Sequence, residues 1–329
     1  MKCLVQIPCF NEEEDIAQVI RSIPRKIPGI RQVKVLIIDD ASQDDTVARA
    51  IRAGADLVIR KKRNAGLADS FRIGQAFFLN SDFDFLVNTD GDNQYHQEHI
   101  PNLLQPLREG SADVVIADRL PGKLKHFHPV KRLAQVLGSL VISLAAGTKI
   151  SDAASGFRAY SRTGISHLFI TTRFSYAMET LIQAGNKGLR IQSIASGAKK
   201  VTRPSRLFRS SFEHVGRSAS AILKAFLMYQ PMKFFSGLGA ILFIVGTVPM
   251  VRYLYLLTSG AAGQHLQSLI FGLLFLTASF LSFVVGLVAE LSRIHRQLDE
   301  EAISYSRLTT TLPSSAVLAA FGATLTYKK

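Results

Sequence analysis

The chain has 329 residues, 47% of them hydrophobic, and its 39 Lys and Arg against 25 Asp and Glu give a formal net charge of +14. That charge calls for an anionic partner, whether nucleic acid, anionic lipid or phosphorylated substrates, and a mean hydropathy of +0.18 is high for a wholly soluble protein. The only two cysteines, Cys3 and Cys9, lie in or beside the first predicted strand, which argues against a disulfide framework and fits a reducing compartment with no signal peptide.

Lys2–Ile7 predicts the first strand, followed by a turn at Pro8-Cys9-Phe10-Asn11. Glu12-Glu13-Glu14-Asp15 opens a helical pattern that runs through Ile16, Val19, Ile20 and Ile23. Asn11 is the expected N-cap, and acids suit a first turn. Val33–Ile38 is the second strand and ends in Asp39-Asp40; Ser42-x-x-Asp45 is expected to cap a helix over Thr46–Ala53. A third strand, Ala55–Ile59, leads through Arg60-Lys61-Lys62-Arg63 to Asn64-Ala65-Gly66 and an apolar helix over Leu67–Leu79. Phe85–Asn88 and Asp113–Ala117 are the fourth and fifth strands, with a helix near His99–Arg108 between them.

This alternation predicts an α/β domain with a Rossmann-like, mostly parallel sheet covered on both faces. Ligands of such sheets bind beyond the carboxyl ends of the strands. Asn11/Glu12, Asp39/Asp40 and Asp90/Asp92 each follow a strand end, so all three should converge on one crevice. No G-x-G-x-x-G follows the first strand and no Walker-A loop is present, which removes nicotinamide and P-loop ATP readings. In Asp90-Gly91-Asp92 two carboxylates can turn toward one hard cation, Gly91 lets the backbone bend, and Gln94 offers a neutral oxygen. Mg²⁺ and Mn²⁺ favour oxygen ligands and complete their shell with water and substrate phosphates. The pair therefore reads as a metal site that holds a diphosphate, against the plainer reading of a polar turn.

Ile7-Pro8-x-x-Asn11-Glu12, Asp39-Asp40-Ala41-Ser42-x-Asp44, Asn64-x-Gly66, Asp90-Gly91-Asp92-Asn93-Gln94 and Ser151-Asp152-Ala153-Ala154-Ser155-Gly156-Phe157-Arg158 occur in that order. Together they resemble the inverting glycosyltransferases of the glycosyltransferase-A fold, in their polyprenyl-phosphate branch, over residues 1–210. The resemblance implies a nucleotide-sugar donor, a polyprenyl-phosphate acceptor and Mg²⁺ or Mn²⁺. It places the nucleotide-sugar at Pro8, Asn11, Glu12, Asp39, Asp40, Asn64, Gly66, Asp90 and Gly91, and the metal at Asp90, Asp92 and Gln94. Asp92, Asp152 and Arg158 would carry the chemistry. Asp152 orients, acts electrostatically or serves as base, unless it merely caps the turn before Ser155-Gly156. The acceptor phosphate falls to Arg158, Arg203 and Arg206, joined by Arg119, which follows the fifth strand directly and whose planar fork suits phosphate oxygens. His126 and His128 read as loop residues. The resemblance further implies a homo-oligomer.

Leu133–Ala146 is too short to span a bilayer and reads as a core helix or a helix at the membrane surface. Lys199–Lys224 holds seven Lys or Arg against one acid, Glu213, which on its own suggests nucleic acid. The residues C-terminal to it favour lipid. Phe234–Val251, extending past Arg252 to Leu257, and Leu266–Ala289 are uncharged runs, each long enough to cross ~30 Å of hydrocarbon. Transmembrane helices are thus expected at about 233–257 and 266–290, after a basic amphipathic juxtamembrane helix over 211–231. Thr258–Gln267 lacks Lys and Arg whereas Lys224, Lys233, Arg293 and Arg296 flank the outer ends. That asymmetry puts the catalytic domain and both termini in the cytoplasm, at the inner membrane, with residues 292–329 as a cytoplasmic tail. Two rivals share the motifs: a processive polysaccharide synthase, disfavoured because its Gln-x-x-Arg-Trp motif needs a tryptophan and this chain has none, and a membrane-tethered nucleotide-sugar-binding protein without turnover.

Overall fold

The computed structural model describes residues 1–120, 129–170, 176–199, 223, 227–259, 265–309 and 318–328. Its contacts divide the chain into one unit of Met1–Ile222 with Glu300–Lys329 and a second of Leu223–Asp299.

The first unit is built on an eight-stranded sheet: β1 (Lys2–Cys9), β2 (Gln32–Asp39), β3 (Leu57–Lys61), β4 (Phe85–Asn88), β5 (Val114–Asp118), β6 (Arg158–Ser161), β7 (Ile191–Ala195) and β8 (Ala323–Lys328), in the order β7-β5-β6-β4-β1-β2-β3-β8. β1, β2, β3 and β4 pair in parallel, as do β5 and β7; β6 runs antiparallel between β4 and β5. The parallel strands are continuous apolar runs because both faces are covered. Cys3–Cys9, for example, is buried at every position. Helices α1 (Ile16–Ser22), α2 (Thr46–Ala53), α3 (Leu67–Leu79), α4 (Ile100–Arg108), α5 (Pro129–Ala146), α6 (Arg162–Ser166) and α7 (Tyr176–Asn186) complete the unit. With β6 reversed, the carboxyl ends of β1 to β5 and β7 and the amino end of β6 lie along one edge. The three acidic clusters therefore meet, as expected. Pro8 is tolerated in a central strand because the ladder to β4 stops at Gln6↔Asn88, two residues earlier.

Several local expectations change. Asn11 does not cap α1: the helix begins at Ile16 after Asp15, and Asn11 adopts φ 54° in the preceding turn. Nor does Ser42 cap α2. Its hydroxyl accepts the Asn11 N–H at 3.0 Å, while the Asp44 carboxylate takes the Thr46 N–H at 3.0 Å. From Glu300 on, the described residues of the expected tail pack within the first unit. Within the first unit, Glu300 lies 2.6 Å from Lys187, the Ser304 hydroxyl donates to Ser166 O, and Arg307 covers the Phe169 ring at 4.2 Å. β8 then pairs antiparallel with β3 and covers a sheet edge that would otherwise be open.

The second unit holds α8 (Pro231–Thr258) and most of α9 (Leu266–Thr309), which continues beyond the expected 290 into the first unit. The two helices approach through small residues: a Cβ on Gly246 would stand 2.9 Å from Leu276 N. Ser279 and Ser282 donate across to Gly239 O and Phe235 O at 2.8 and 2.9 Å. Both helices are long and apolar enough to cross a membrane, with only 11% of the most apolar stretch of each buried. Core helices of a soluble protein would be covered; these expose Phe, Leu, Ile and Val along their length.

Candidate active site

The carboxylate pair sits just past β4. Asp90 is half-buried, and its Oδ1 is shut off from solvent without a hydrogen-bond partner. A main chain presses on it: a Cβ at Gly156 would stand 2.9 Å from Asp90 Oδ2, so a larger residue there would push the carboxylate aside. Gly156 is held from both sides, its N–H by the Tyr95 hydroxyl at 2.8 Å and its carbonyl by Asn88 Nδ2 at 2.8 Å. Burial first, then the charge of Asp92, pushes the Asp90 carboxyl up to about 7, against Arg119, the Tyr95 hydroxyl and Arg158, which pull it down. Burial raises Asp92 too, although its Oδ1 accepts the Gln94 N–H at 3.2 Å.

Two adjoining carboxylates, both pushed toward neutrality and one with an orphaned oxygen, are short of positive charge, so the pair fits a divalent cation. Among the described residues no group of three or more His, Cys, Asp or Glu could cage one. An ion here would complete its shell from substrate and water, as Mg²⁺ does. Gln94 is fixed by its main chain, whose carbonyl accepts the Lys199 N–H at 2.9 Å, while Lys199 Nζ donates to Asn93 Oδ1 at 3.0 Å. The close approach that Gly91 permits is to Glu12: a Cβ there would lie 3.3 Å from Glu12 Cγ.

On the nucleotide side, Asn11 Oδ1 accepts the Gln43 N–H at 2.9 Å, and Asp39 Oδ1 accepts the Ser42 N–H at 3.1 Å. Asp39 Oδ2, fully buried, has only an ion pair with Arg60 Nε at 3.1 Å and no directed hydrogen bond. Glu12 is set by its N–H on Thr46 Oγ1 at 2.8 Å. Asp40 works differently. Its two oxygens take the Ala65 and Gly66 N–H groups at 2.9 and 2.8 Å, and buried Lys61 lies 2.6 Å from Asp40 and 2.9 Å from Asp69. Asp40 therefore shapes the loop that carries exposed Asn64 and half-buried Gly66, the latter at φ 92°.

On the acceptor side, Arg119 and Asp152 form a buried two-pronged pair: Nε and Nη2 reach the carboxylate oxygens at 2.7 and 2.8 Å, and the Arg119 N–H adds a third bond at 3.1 Å. Asp152 does not cap the following turn with its side chain, and both its oxygens are committed. Arg158 turns inward, donating to Ala177 O, Thr180 Oγ1 and Ala153 O at 2.6, 3.1 and 2.9 Å. That binds α7 to the 152–158 segment rather than presenting a cation at the edge. Arg203, Arg206, His126 and His128 lie outside the described residues, as does residue range 211–222 of the juxtamembrane helix. Sequence reasoning missed Tyr95, Asn88 and Lys61, whose roles depend on partners distant in the chain; Tyr95, next to Gln94, was the one within reach.

The model of glycosyl transferase family 2 matches residues 4–169, just over half of the chain. The chain belongs to that family. This glycosyltransferase is similar to an undecaprenyl-phosphate mannosyltransferase of Micrococcus luteus, 30% identical over 49% of this chain and 66% of that protein. It is also similar to a polyprenol monophosphomannose synthase of Mycolicibacterium smegmatis (32% identical, 49% and 62% covered) and a dolichyl-phosphate hexose transferase of Haloferax volcanii (27%, 56% and 77%). The first two matches span slightly less than two thirds of those relatives' own lengths. Among solved structures, the glucosyl-3-phosphoglycerate synthase of Mycobacterium tuberculosis, in complex with Mn²⁺, UDP and phosphoglyceric acid, aligns over 69% of this chain and 77% of its own at a TM-score of 0.52 and 21% identity. That likeness establishes the shared glycosyltransferase-A architecture.

Proposed function

We propose that this glycosyltransferase moves a hexose from a UDP- or GDP-sugar to the phosphate of a polyprenyl carrier, inverting the anomeric carbon. The observation that carries the reading is the Asp90/Asp92 pair, short of positive charge at the edge where the parallel strands end. The names of the relatives and the two long exposed apolar helices support a lipid phosphate as acceptor. Mg²⁺ or Mn²⁺, held by Asp90, Asp92 and Gln94, would act as a Lewis acid that offsets charge on the departing diphosphate. Asp39, Asn11, Glu12 and the Asn64–Gly66 loop hold the nucleotide. An acceptor phosphate oxygen forms the new bond to the anomeric carbon from the opposite face, and the bond to the diphosphate breaks with its electron pair leaving on the nucleotide. The phosphate is already anionic at neutral pH, so no base is needed. Asp152 accordingly serves as the fixed counter-charge of Arg119. Arg203 and Arg206 are assigned to the acceptor phosphate on the family pattern, and the catalytic unit and both termini to the cytoplasmic side of the inner membrane.

The test uses detergent-purified full chain with Mg²⁺ or Mn²⁺, undecaprenyl phosphate and labelled UDP- and GDP-sugars, following label into the lipid phase. Transfer from one donor, abolished by EDTA and by Asp92→Asn in a folded variant, is the expected result. Nucleotide binding without transfer from any donor would refute it.

A further inference from the structure

Two amides stand in the middle of the sheet where apolar side chains are expected. Gln6 on β1 and Asn88 on β4 pair directly across the ladder, and both are fully buried. A strand interior disfavours Asn, and a buried amide costs free energy unless its polar atoms find partners. A local departure of this kind in two otherwise apolar strands points to a functional site.

The partners say which site. Asn88 Nδ2 donates to Gly156 O at 2.8 Å and to the Tyr176 hydroxyl at 3.1 Å. A carbonyl can only accept, so the Asn88 amide has one orientation and its Oδ1 must face β1. There it accepts Gln6 Nε2 at 2.9 Å. Gln6 is left with a buried Oε1 that has no hydrogen-bond partner. It has no room to withdraw, because α3 passes so close that a Cβ on Gly74 would stand 1.9 Å from that oxygen. An orphaned buried acceptor is costly, and two apolar residues would hold β1 to β4 without one. What they could not supply is the donor to Gly156 O.

That donor bears on the metal site because the Gly156 main chain is the wall behind Asp90. A Cβ there would lie 2.9, 3.1 and 3.3 Å from Oδ2, Oδ1 and Cγ of the carboxylate. The peptides on either side of the Gly156 Cα are both tied, one to Tyr95 and one to Asn88. The tethers are themselves anchored: the Tyr95 ring packs on Phe157 at 5.4 Å, and Tyr176 stacks on Phe71 at 4.5 Å. The wall cannot shift without breaking this buried network.

We propose that Asn88, oriented by Gln6, is a positioning residue of the metal site: it fixes the Gly156 main chain and, through it, the rotamer in which Asp90 meets the cation. The proposal rests on the reading of Asp90 and Asp92 as metal ligands and deepens it. Residues that hold a ligand from behind commonly change metal affinity about 10–100-fold when removed, because ligands must be kept within roughly 0.5 Å of their working geometry.

The test uses full-length wild type, Asn88→Ala, Gln6→Leu, Gln75→Leu and Asp92→Asn, purified in detergent and checked for folding by thermal melting. Each is titrated with Mn²⁺ alone, bound ion being read from loss of the free-ion paramagnetic resonance signal. Gln75 is the control, a buried amide of the same unit whose Nε2 donates to Ile165 O and Leu168 O at 2.8 and 2.7 Å. Gln75→Leu should lose stability yet keep wild-type Mn²⁺ affinity, whereas Asn88→Ala and Gln6→Leu should each weaken Mn²⁺ binding by about 10-fold or more. Wild-type affinity in either folded variant overturns the proposal and leaves the metal reading standing; if Asn88→Ala does not fold, Gln6→Leu decides alone. An equal loss in Gln75→Leu also overturns it and assigns the effect to general loosening of the core. Mn²⁺ binding by wild type no tighter than by Asp92→Asn overturns the metal reading itself.

Discussion

Removing the Asp152 carboxylate separates a structural counter-charge from a catalytic base. In Asp152→Ala, Arg119, only 6% exposed, loses the two bonds of its guanidinium and a third from its main-chain N–H. Breaking a buried pair by deleting one partner costs about 3–5 kcal/mol, which lowers the melting point of a domain this size by roughly 6–20 °C. Replacing both partners with apolar residues of similar bulk, Arg119→Met with Asp152→Leu, should recover most of that loss, since no uncompensated charge remains. The assay is built into the chain. Cys3 and Cys9 are the only thiols, both are buried, and burial raises their pKa. A thiol-reactive dye therefore reports the opening of β1 directly. If Asp152→Ala melts within ~2 °C of wild type while turnover disappears, the counter-charge reasoning is wrong and Asp152 is chemical.

Lys61→Met should raise the KM for the nucleotide-sugar several-fold and leave the Mn²⁺ requirement unchanged. Lys61 braces Asp40, and Asp40 holds the Ala65–Gly66 main chain, whereas the metal carboxylates lie on another loop; donor and Mn²⁺ titrations of initial rate check it. Acid should loosen the β2–β3 side of the sheet. Against a burial effect that raises it, the Val35 N–H, Arg25 and Lys34 hold the Asp56 carboxyl below its usual value. A depressed folded pKa means stability present above about pH 4 and lost as pH falls through the folded value. Asp56→Asn should lower the melting point at pH 7 and flatten its decline between about pH 4 and 2, read by circular dichroism.

Much of this architecture was legible because it is local. Each parallel strand is a short apolar run, each acidic cluster sits one or two residues past such a run, and the two long uncharged runs within α8 and α9 announce themselves by length alone. The parallel order then carries those clusters to one edge without further information. The strands that escaped the sequence reading, β6, β7 and β8, are four to six residues long. β7 has only half-buried and exposed positions, and β8 comes after a small, apolar stretch; neither composition separates strand from coil.

Side-chain partnership was the part that chain order could not supply. Arg119 and Asp152 are 33 residues apart, Asp40 and Gly66 are 26, and Tyr95 and Gly156 are 61. An isolated Arg after a strand reads as a free cation for phosphate, yet here a carboxylate from a different loop has already claimed it. Arg158 has the residue type of a phosphate ligand, but its place on β6 between β4 and β5 points it into the core. Residue chemistry and strand order thus determined where a polyanionic substrate could meet this chain. Which charges remain to meet it was decided by packing, because a buried charge must be paired wherever the fold brings it to rest.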